Sequence, residues 1–333
     1  MSNSFELKRI DLPDTRSLRM FGYILKRIGV AFLTILLIMV ITFLLMNAIP
    51  GSPFLTEKST PEMIARANAK YGLDKPLIVQ LGNYILNYLK GDLGTSLKMQ
   101  EGTAVTKIIF QEGKFALSFR LGVCAVIVAV IIGIPLGCLA AYNRGKWIDS
   151  VLRVITTLGV AVPSFVLCAL LLIFLGVKLN WVPVISGSLE TGKSYIAPVL
   201  GLSFYPMCYI AKLTRTSMLD AINQDYIRTA RAKGLKTRVI IFKHALRNSM
   251  IPVITYLGPM TAGIVTGGFV VEQTFQIPGL GKYFISSILN RDYPIIMATT
   301  VVLATLVILM NLVVDIAYKL VDPRISLTKK GEN

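Results

Sequence analysis

Two stretches of this chain carry residue types at spacings that chemistry uses. Gly187-Ser-Leu-Glu-Thr-Gly-Lys-Ser194 fits the phosphate-loop pattern G-x-x-x-x-G-K-S letter for letter. Such a loop works because a strand delivers it to a helix N-terminus, whose amides cradle phosphate. Residues 181–186 can pass for a strand, but no alternating strand–helix pattern follows them. No apolar strand ending in aspartate offers a magnesium ligand either, so nucleotide binding here is rejected. His244 is the single histidine, and a metal site or catalytic triad needs more partners than that. The four cysteines, Cys124, Cys138, Cys168 and Cys208, fall in apolar blocks and form no C-x-x-C pair. They read as small packing residues, with no disulfide or zinc signal. No catalytic residue, metal or cofactor is expected in this chain.

The other stretch is basic. Asp225-Tyr-Ile-Arg-Thr-Ala-Arg-Ala-Lys-Gly234 continues through Leu235, Lys236, Arg238, Lys243, His244 and Arg247 to Pro252. It carries too much charge to enter a bilayer. Ala230, Ala232 and Leu235 are small or apolar enough to dock closely on another surface. Gly234 permits a sharp change of direction that other residues resist. Pro252 falls where the next apolar block begins, near a favourable first-turn position. The expectation is two short helices joined by a turn, projecting below a membrane. The plainer alternative is a solvated basic loop touching anionic headgroups, and composition alone favours it.

A membrane is implied by the elements around these stretches. Hydrophobic residues make up 54% of the 333, charged residues only 16%, and the mean hydropathy is +0.64. A soluble domain of this length carries more charge. About 20 apolar residues cross roughly 30 Å of hydrocarbon. Uncharged runs of that length lie near 28–48, 115–142, 154–177, 194–219, 249–271 and 294–314, which predicts six spans. The fourth is the weakest, because Lys212 and Arg215 interrupt its end; it reads as a helix continuing past the membrane surface.

The net charge of +17 sits between the apolar blocks rather than on one basic face, which excludes nucleic acid as the partner. Lys8, Arg9, Arg16, Arg19, Lys26 and Arg27 precede the first span. Arg144, Lys146 and Arg153, the basic stretch above, and Lys319, Arg324, Lys329 and Lys330 fall on the same side if spans alternate. The short loops opposite hold only Lys178, Lys193, Lys282 and Arg291. Lys and Arg collect in cytoplasmic loops, so both termini are expected inside. The first apolar run exceeds the length of a signal-peptide core, and a cleaved leader is not expected. The long outer segment reads as amphipathic helices over 61–71 and 75–89, either a surface hairpin or a docking site for an outside partner.

Two charges lie near span ends. Arg120, six residues beyond Lys114, either snorkels to the headgroups or lines a path. Glu272 ends the fifth span and is expected to meet water at the outer mouth. Pro135 and Pro163 fall inside spans and are expected to kink them.

In the basic stretch the chain resembles the peptide-transporter variant of the cytoplasmic loop in permease subunits of ATP-binding-cassette importers. The general pattern of that loop is E-A-A, three residues, then G. Gly234 matches the glycine and Ala230 the second alanine, while Arg228 and Thr229 depart as the peptide subgroup does. Further resemblance runs through Asn47-Ala-Ile-Pro-Gly-Ser-Pro53, Tyr71-Gly-Leu-Asp-Lys-Pro76, Gly91-Asp-Leu-Gly-Thr-Ser96 and Ile132-Gly-Ile-Pro-Leu-Gly137. It continues through Gln276-Ile-Pro-Gly-Leu-Gly281, Asn290-Arg-Asp-Tyr-Pro294 and Asp322-Pro-Arg324. Each motif alone is weak; their order and spacing are specific.

The resemblance implies an all-α, polytopic membrane bundle, the type I importer permease fold, as the first permease of an oligopeptide or dipeptide importer in a bacterial inner membrane. It implies residues 1–114 as an N-terminal and extracytoplasmic region, 115–322 as the permease core and 323–333 as a tail. It implies a second permease, two ATP-binding subunits that hold ATP and magnesium, and an extracytoplasmic peptide-binding protein, all around a chain embedded in membrane lipid. Contact with the ATPase then falls to Arg228, Ala230, Arg231, Lys233, Gly234, Leu235, Arg238 and His244. Arg120 and Glu272 become possible path-lining residues. The alternatives are a nickel or glutathione importer permease, a membrane receptor or scaffold, a self-sufficient membrane ATPase using the 187–194 loop, or a proton-driven carrier. The last would want acidic residues deep in spans.

Overall fold

The computed structural model describes residues 15–48, 62, 65, 66, 68, 69, 72–187, 189–236, 239–265 and 268–321. Among them the chain is helical, and one isolated antiparallel bridge joins Thr95 to Ala104. Helix α1 (Thr15–Ala48) is followed by the short outer helix α2 (Leu77–Leu89). Helices α3 (Lys114–Tyr142), α4 (Trp147–Ala161) and α5 (Ser164–Leu171) come next. A π-helical stretch, Leu172–Lys178, prolongs α5. Helices α6 (Gly192–Ile222), α7 (Asp225–Ala232) and α8 (Leu246–Val265) complete the middle of the chain. Helices α9 (Phe269–Thr274), α10 (Leu280–Asn290) and α11 (Tyr293–Val321) close it.

Among the described residues four helices are long and apolar enough to cross a bilayer: α1 from Leu25, α3, α6, and α11 to Val313. The expected third span is broken. α4 and the α5 stretch meet at 106°, and counting that pair as one crossing makes five. The break falls at Val162 and Pro163, where both residues are extended and Pro163 caps α5. A proline that cannot continue α4 starts the next helix instead. The expected fifth span, α8, has 20 residues but is not among the four. Arg247, Asn248, Ser249, Thr255 and Thr261 dilute its apolar character.

The centre is the packing of α3 on α6, the most extensive helix pair among the described residues. Its closeness comes from glycine. A Cβ on Gly133 would stand 2.8 Å from the Met207 carbonyl oxygen, and one on Gly137 2.5 Å from that of Ala211. These are the glycines of the 132–137 motif. Buried cysteines sit where α6 meets its other neighbours, α5 and α4. A Cβ on Gly201 would meet the Cys168 sulfur at 2.7 Å, and Gly159 faces Cys208. All four thiols are free.

Gly137→Val is therefore expected to force α3 away from α6 and to cost about 1–3 kcal/mol, the usual penalty for overpacking. Gly29→Ala, with nothing within 4 Å of its Cβ, is the neutral comparison. Heat stability of the purified chain in detergent, read by the surviving monodisperse fraction, checks both.

Candidate coupling arm and central cavity

The basic stretch folds as two helical pieces joined by a turn. α7 ends at Ala232, and Gly234 sits at φ +75°. Its N–H donates to the Arg231 carbonyl, and the Leu235 N–H donates to that of Ala230, closing the helix end. Nothing approaches the Gly234 Cβ position within 4 Å, so the backbone angle rather than space demands glycine. The second piece begins at Val239, with a π-helical turn, Ile240–Ala245, running into α8. Pro252 therefore lies well inside a helix, not at a first turn as expected. The helix starts six residues earlier, at Leu246.

The faces of the arm divide differently from the sequence expectation. Ala230, expected on the docking face, is buried with Ile227 against the chain's own helices. Its neighbours there are Cys138, Ala141, Met218, Ala221, Ile240 and Ile241. The reason is periodicity: Ile227 and Ala230 are three apart and form the one apolar face of a strongly amphipathic helix. Arg228, Arg231, Lys233, Gly234 and Leu235 are exposed, and His244 is half-buried. Arg228 and Asp225 make a fully exposed ion pair at 3.5 Å, a type worth little in stability. Arg238 lies outside the described residues.

Above the arm, Asp149 at the start of α4 grips Arg215 on α6. Nε and a terminal guanidinium nitrogen donate to the two carboxylate oxygens at 2.6 and 2.9 Å. The Gly145 amide adds a third bond at 3.1 Å, and Asp149 is 1% exposed. In the sequence Arg215 is a charge that interrupts the end of the fourth span. It is instead a structural fork, matched to a carboxylate 66 residues away.

At its far end α4 opens onto a cavity of about 530 Å³. The cavity lies between the Pro163 break, Gly201 to Pro206 of α6 and Tyr256 to Ile264 of α8, and its walls are mostly apolar. Tyr205 and Tyr256 line it, and Tyr209 stacks near both. Neither Arg120 nor Glu272 lines this cavity. Arg120 is exposed on α3.

Glu272 does not meet water. It is fully buried, accepting a hydrogen bond from the Ser118 hydroxyl at 2.6 Å and one from the Lys282 amide at 2.9 Å. Ser118 in turn accepts from the Leu280 amide at 2.7 Å. A Cβ on Gly279 would collide with both side chains, at 2.5 and 2.6 Å. The glycines of the 276–281 motif thus make room for a carboxylate that ties α3 to the α9–α10 turn. Burial raises the Glu272 carboxyl pKa, and the Ser118 hydroxyl with the Lys282 and Gly281 amides opposes that shift.

The phosphate-loop look-alike has half the required context. Gly192 opens α6, but no strand precedes it among the described residues. The Ser194 hydroxyl is shared with Thr191 at 2.8 Å, and Leu189 is buried in the core beside Phe275. Residue 188 lies outside the described residues, as do parts of the 47–53 and 71–76 motifs and all of the 322–324 motif.

A bundle with a basic arm rooted beneath it and a cavity at a broken helix is the architecture of an importer's membrane component. The pattern of the family described as binding-protein-dependent transport system inner membrane component matches residues 133–327, and its N-terminal companion matches residues 20–102. The chain belongs to this family and is a multi-pass inner-membrane protein. It is 44% identical over 313 residues to the dipeptide transport system permease protein DppB of Bacillus subtilis (strain 168), covering 94% of this chain and all of that one. It is 40% identical to the oligopeptide transport system permease protein OppB of Haemophilus influenzae, covering 92% of this chain and 99% of the other. An inward-facing structure of the MetNI methionine ABC transporter shares its fold, with a TM-score of 0.53 at 18% identity over 63% of this chain and 94% of that one.

Proposed function

We propose that this chain is the first of two permeases in an ATP-driven peptide importer and forms half of the translocation pathway. ATP and magnesium are bound by a pair of partner ATPases, and an extracytoplasmic peptide-binding protein delivers the solute. The observation that carries the reading is the arm. Its apolar side, Ile227 and Ala230, is rooted in the bundle, while Arg228, Arg231, Lys233 and Leu235 face outward. Such a helix moves with the bundle and offers its outer face to a partner.

Motion at α7 passes to α6 through Met218 and Ala221, and from α6 to α4 through the Arg215–Asp149 fork. α4 ends at the cavity, so one chain of packed elements joins the arm to the path. Packed helices switch between discrete arrangements, which suits alternating access. The mostly apolar cavity suits a solute whose side chains vary. The names of the relatives favour peptides over nickel or glutathione. Lys and Arg counts favour both termini inside and six crossings, with α8 as the least apolar of them.

Crosslinking tests the arm. A photo-reactive residue at Lys233 in the native membrane is expected to capture a nucleotide-hydrolysing subunit; capture of lipid alone overturns the assignment. Gly234→Pro is expected to abolish peptide uptake while membrane insertion stays intact. Proline fixes φ near −65°, and the turn needs +75°. Undiminished uptake would remove the lever role.

A further inference from the structure

Beside the Asp149–Arg215 fork the seam between α4 and α6 opens into a small cavity of about 110 Å³. Arg153, Thr156 and Thr157 of α4 wall it on one side, and Lys212, Arg215 and Thr216 of α6 on the other. Among the described residues these three cations share one carboxylate. Asp149 is committed to Arg215 and reaches Arg153 only at 3.7 Å. The Lys212 ammonium has no carboxylate partner among the described residues. Like charges around one small cavity repel, and an anion between them removes that penalty.

The donors left over define the anion. The Thr156 and Thr216 hydroxyls donate to their own helices, to the Leu152 and Lys212 carbonyls at 2.8 and 3.0 Å. Arg153 gives one N–H to the Ser150 hydroxyl at 3.3 Å. The Lys212 ammonium, the Thr157 hydroxyl and the remaining N–H groups of Arg153 face no such claim. The volume equals about three to four water molecules, which admits a phosphate group but not a peptide. Arg and Lys are the usual partners of phosphate oxygens.

Depth points to where the phosphate comes from. Lys212 stands roughly 30 Å of helix rise from Gly192, where α6 begins. Leu136, on the α3 wall of the cavity, stands roughly 33 Å from Lys114, where α3 begins. Both distances match the thickness of the hydrocarbon core, so the cavity lies at the level of the headgroups. α6 continues from there into the arm, which sets the cavity on the arm's side of the membrane. Basic pockets between helices at this level take anionic headgroups.

We propose that the α4–α6 pocket binds an anionic phosphate group, and that an anionic phospholipid headgroup is its favoured source. A zwitterionic lipid brings its own cation and leaves the excess charge in place. A phosphate held between Arg153 and Lys212 acts as a second clasp on the helix pair, one turn from the fork. The inference stands on the pocket and holds whichever solute the importer carries.

The full chain, purified with its accompanying subunits and stripped of lipid in phosphate-free detergent, tests it. The probes are phosphatidylglycerol, phosphatidylcholine and inorganic phosphate. Lipid retention is read by native mass spectrometry, and protection by the monodisperse fraction that survives heating. Phosphatidylglycerol is expected to bind and protect in preference to phosphatidylcholine. Arg153→Gln with Lys212→Gln is expected to weaken that binding roughly thirtyfold, the effect of two surface cations. Both side chains are exposed, so the ligand-free heat stability of the double variant should match the parent. Lys212→Gln alone, expected to weaken binding about fivefold, decides the matter if the double variant is unstable. Protection by inorganic phosphate alone, lost in the variants, keeps the site and assigns it to the free ion. Phosphatidylcholine that binds as well as phosphatidylglycerol overturns the inference. Variants that bind as the parent does overturn it too, as does a parent chain that takes neither phosphatidylglycerol nor phosphate.

Discussion

Replacing Asp149 with alanine is expected to destabilise the bundle by about 3–5 kcal/mol, the range for breaking one side of a buried ion pair. Asp149 is 1% exposed and accepts four contacts: two from the Arg215 fork, one from the Gly145 amide and a longer one at 3.7 Å from Arg153. Removing it leaves the Arg215 guanidinium, 19% exposed, with its planar donors unmatched. Arg215→Lys should cost less, because the charge survives and only the two-pronged geometry is lost. Arg153→Ala is expected to be nearly silent, since that side chain is 54% exposed. The measurement is loss of monodisperse protein on heating for the three variants side by side. Equal, small shifts for Asp149→Ala and Arg153→Ala would show that the fork holds nothing.

Why Arg215 was legible only as an interruption is a matter of range. The spans are readable because burial in lipid demands long local runs, and α1, α3 and α11 satisfy it with little ambiguity. The turn at Gly234 is readable because it is local too: a glycine after a short charged helix. Side chains whose partners come from elsewhere are a different case. Glu272 looked like a mouth residue at the end of an apolar block, yet its partner Ser118 lies 154 positions away. The usable signal was the small-residue run after it, since Gly279 and Gly281 leave space that a buried carboxylate fills. Ala230 failed for a related reason. Smallness says that something packs closely, not whether that something is another polypeptide or the chain itself. Only the three-residue spacing from Ile227 points inward, and it becomes informative once α6 is known to pass overhead. The break at Pro163 was expected as a kink, but the 106° turn depends on the cavity and helices it borders.

A second large effect is expected at Asp292, on the outer side. Its carboxylate is fully buried and holds the loop after α2 by four bonds. The Ser96 hydroxyl donates at 2.6 Å, and the Leu97, Lys98 and Met99 amides donate at 3.1, 3.0 and 2.9 Å. Its own carbonyl accepts from the Ile296 amide in the first turn of α11. One residue therefore joins the outer segment to the top of the last span. Three amides converging on one carboxylate form an anion nest, and a neutral side chain cannot satisfy it. Asp292→Ala strands four donors, buried at Ser96 and Leu97 and half-buried at Lys98 and Met99, at about 1–3 kcal/mol each when no water reaches them. Water entry moderates this, so a loss of at least about 3 kcal/mol is expected. Asp292→Asn should rescue only part, because one oxygen remains to accept while the amide group faces donors. The loss should also be local. Leu97 packs with Met46, Tyr293 and Met297, and that contact has no other polar fastening of this strength among the described residues. Hydrogen exchange is expected to rise sharply over 94–105 in Asp292→Ala while α3 and α6 keep their protection. Uniform loss across the bundle would mean that Asp292 supports the whole fold, and unchanged exchange over 94–105 would mean that the outer segment is held by its apolar contacts alone.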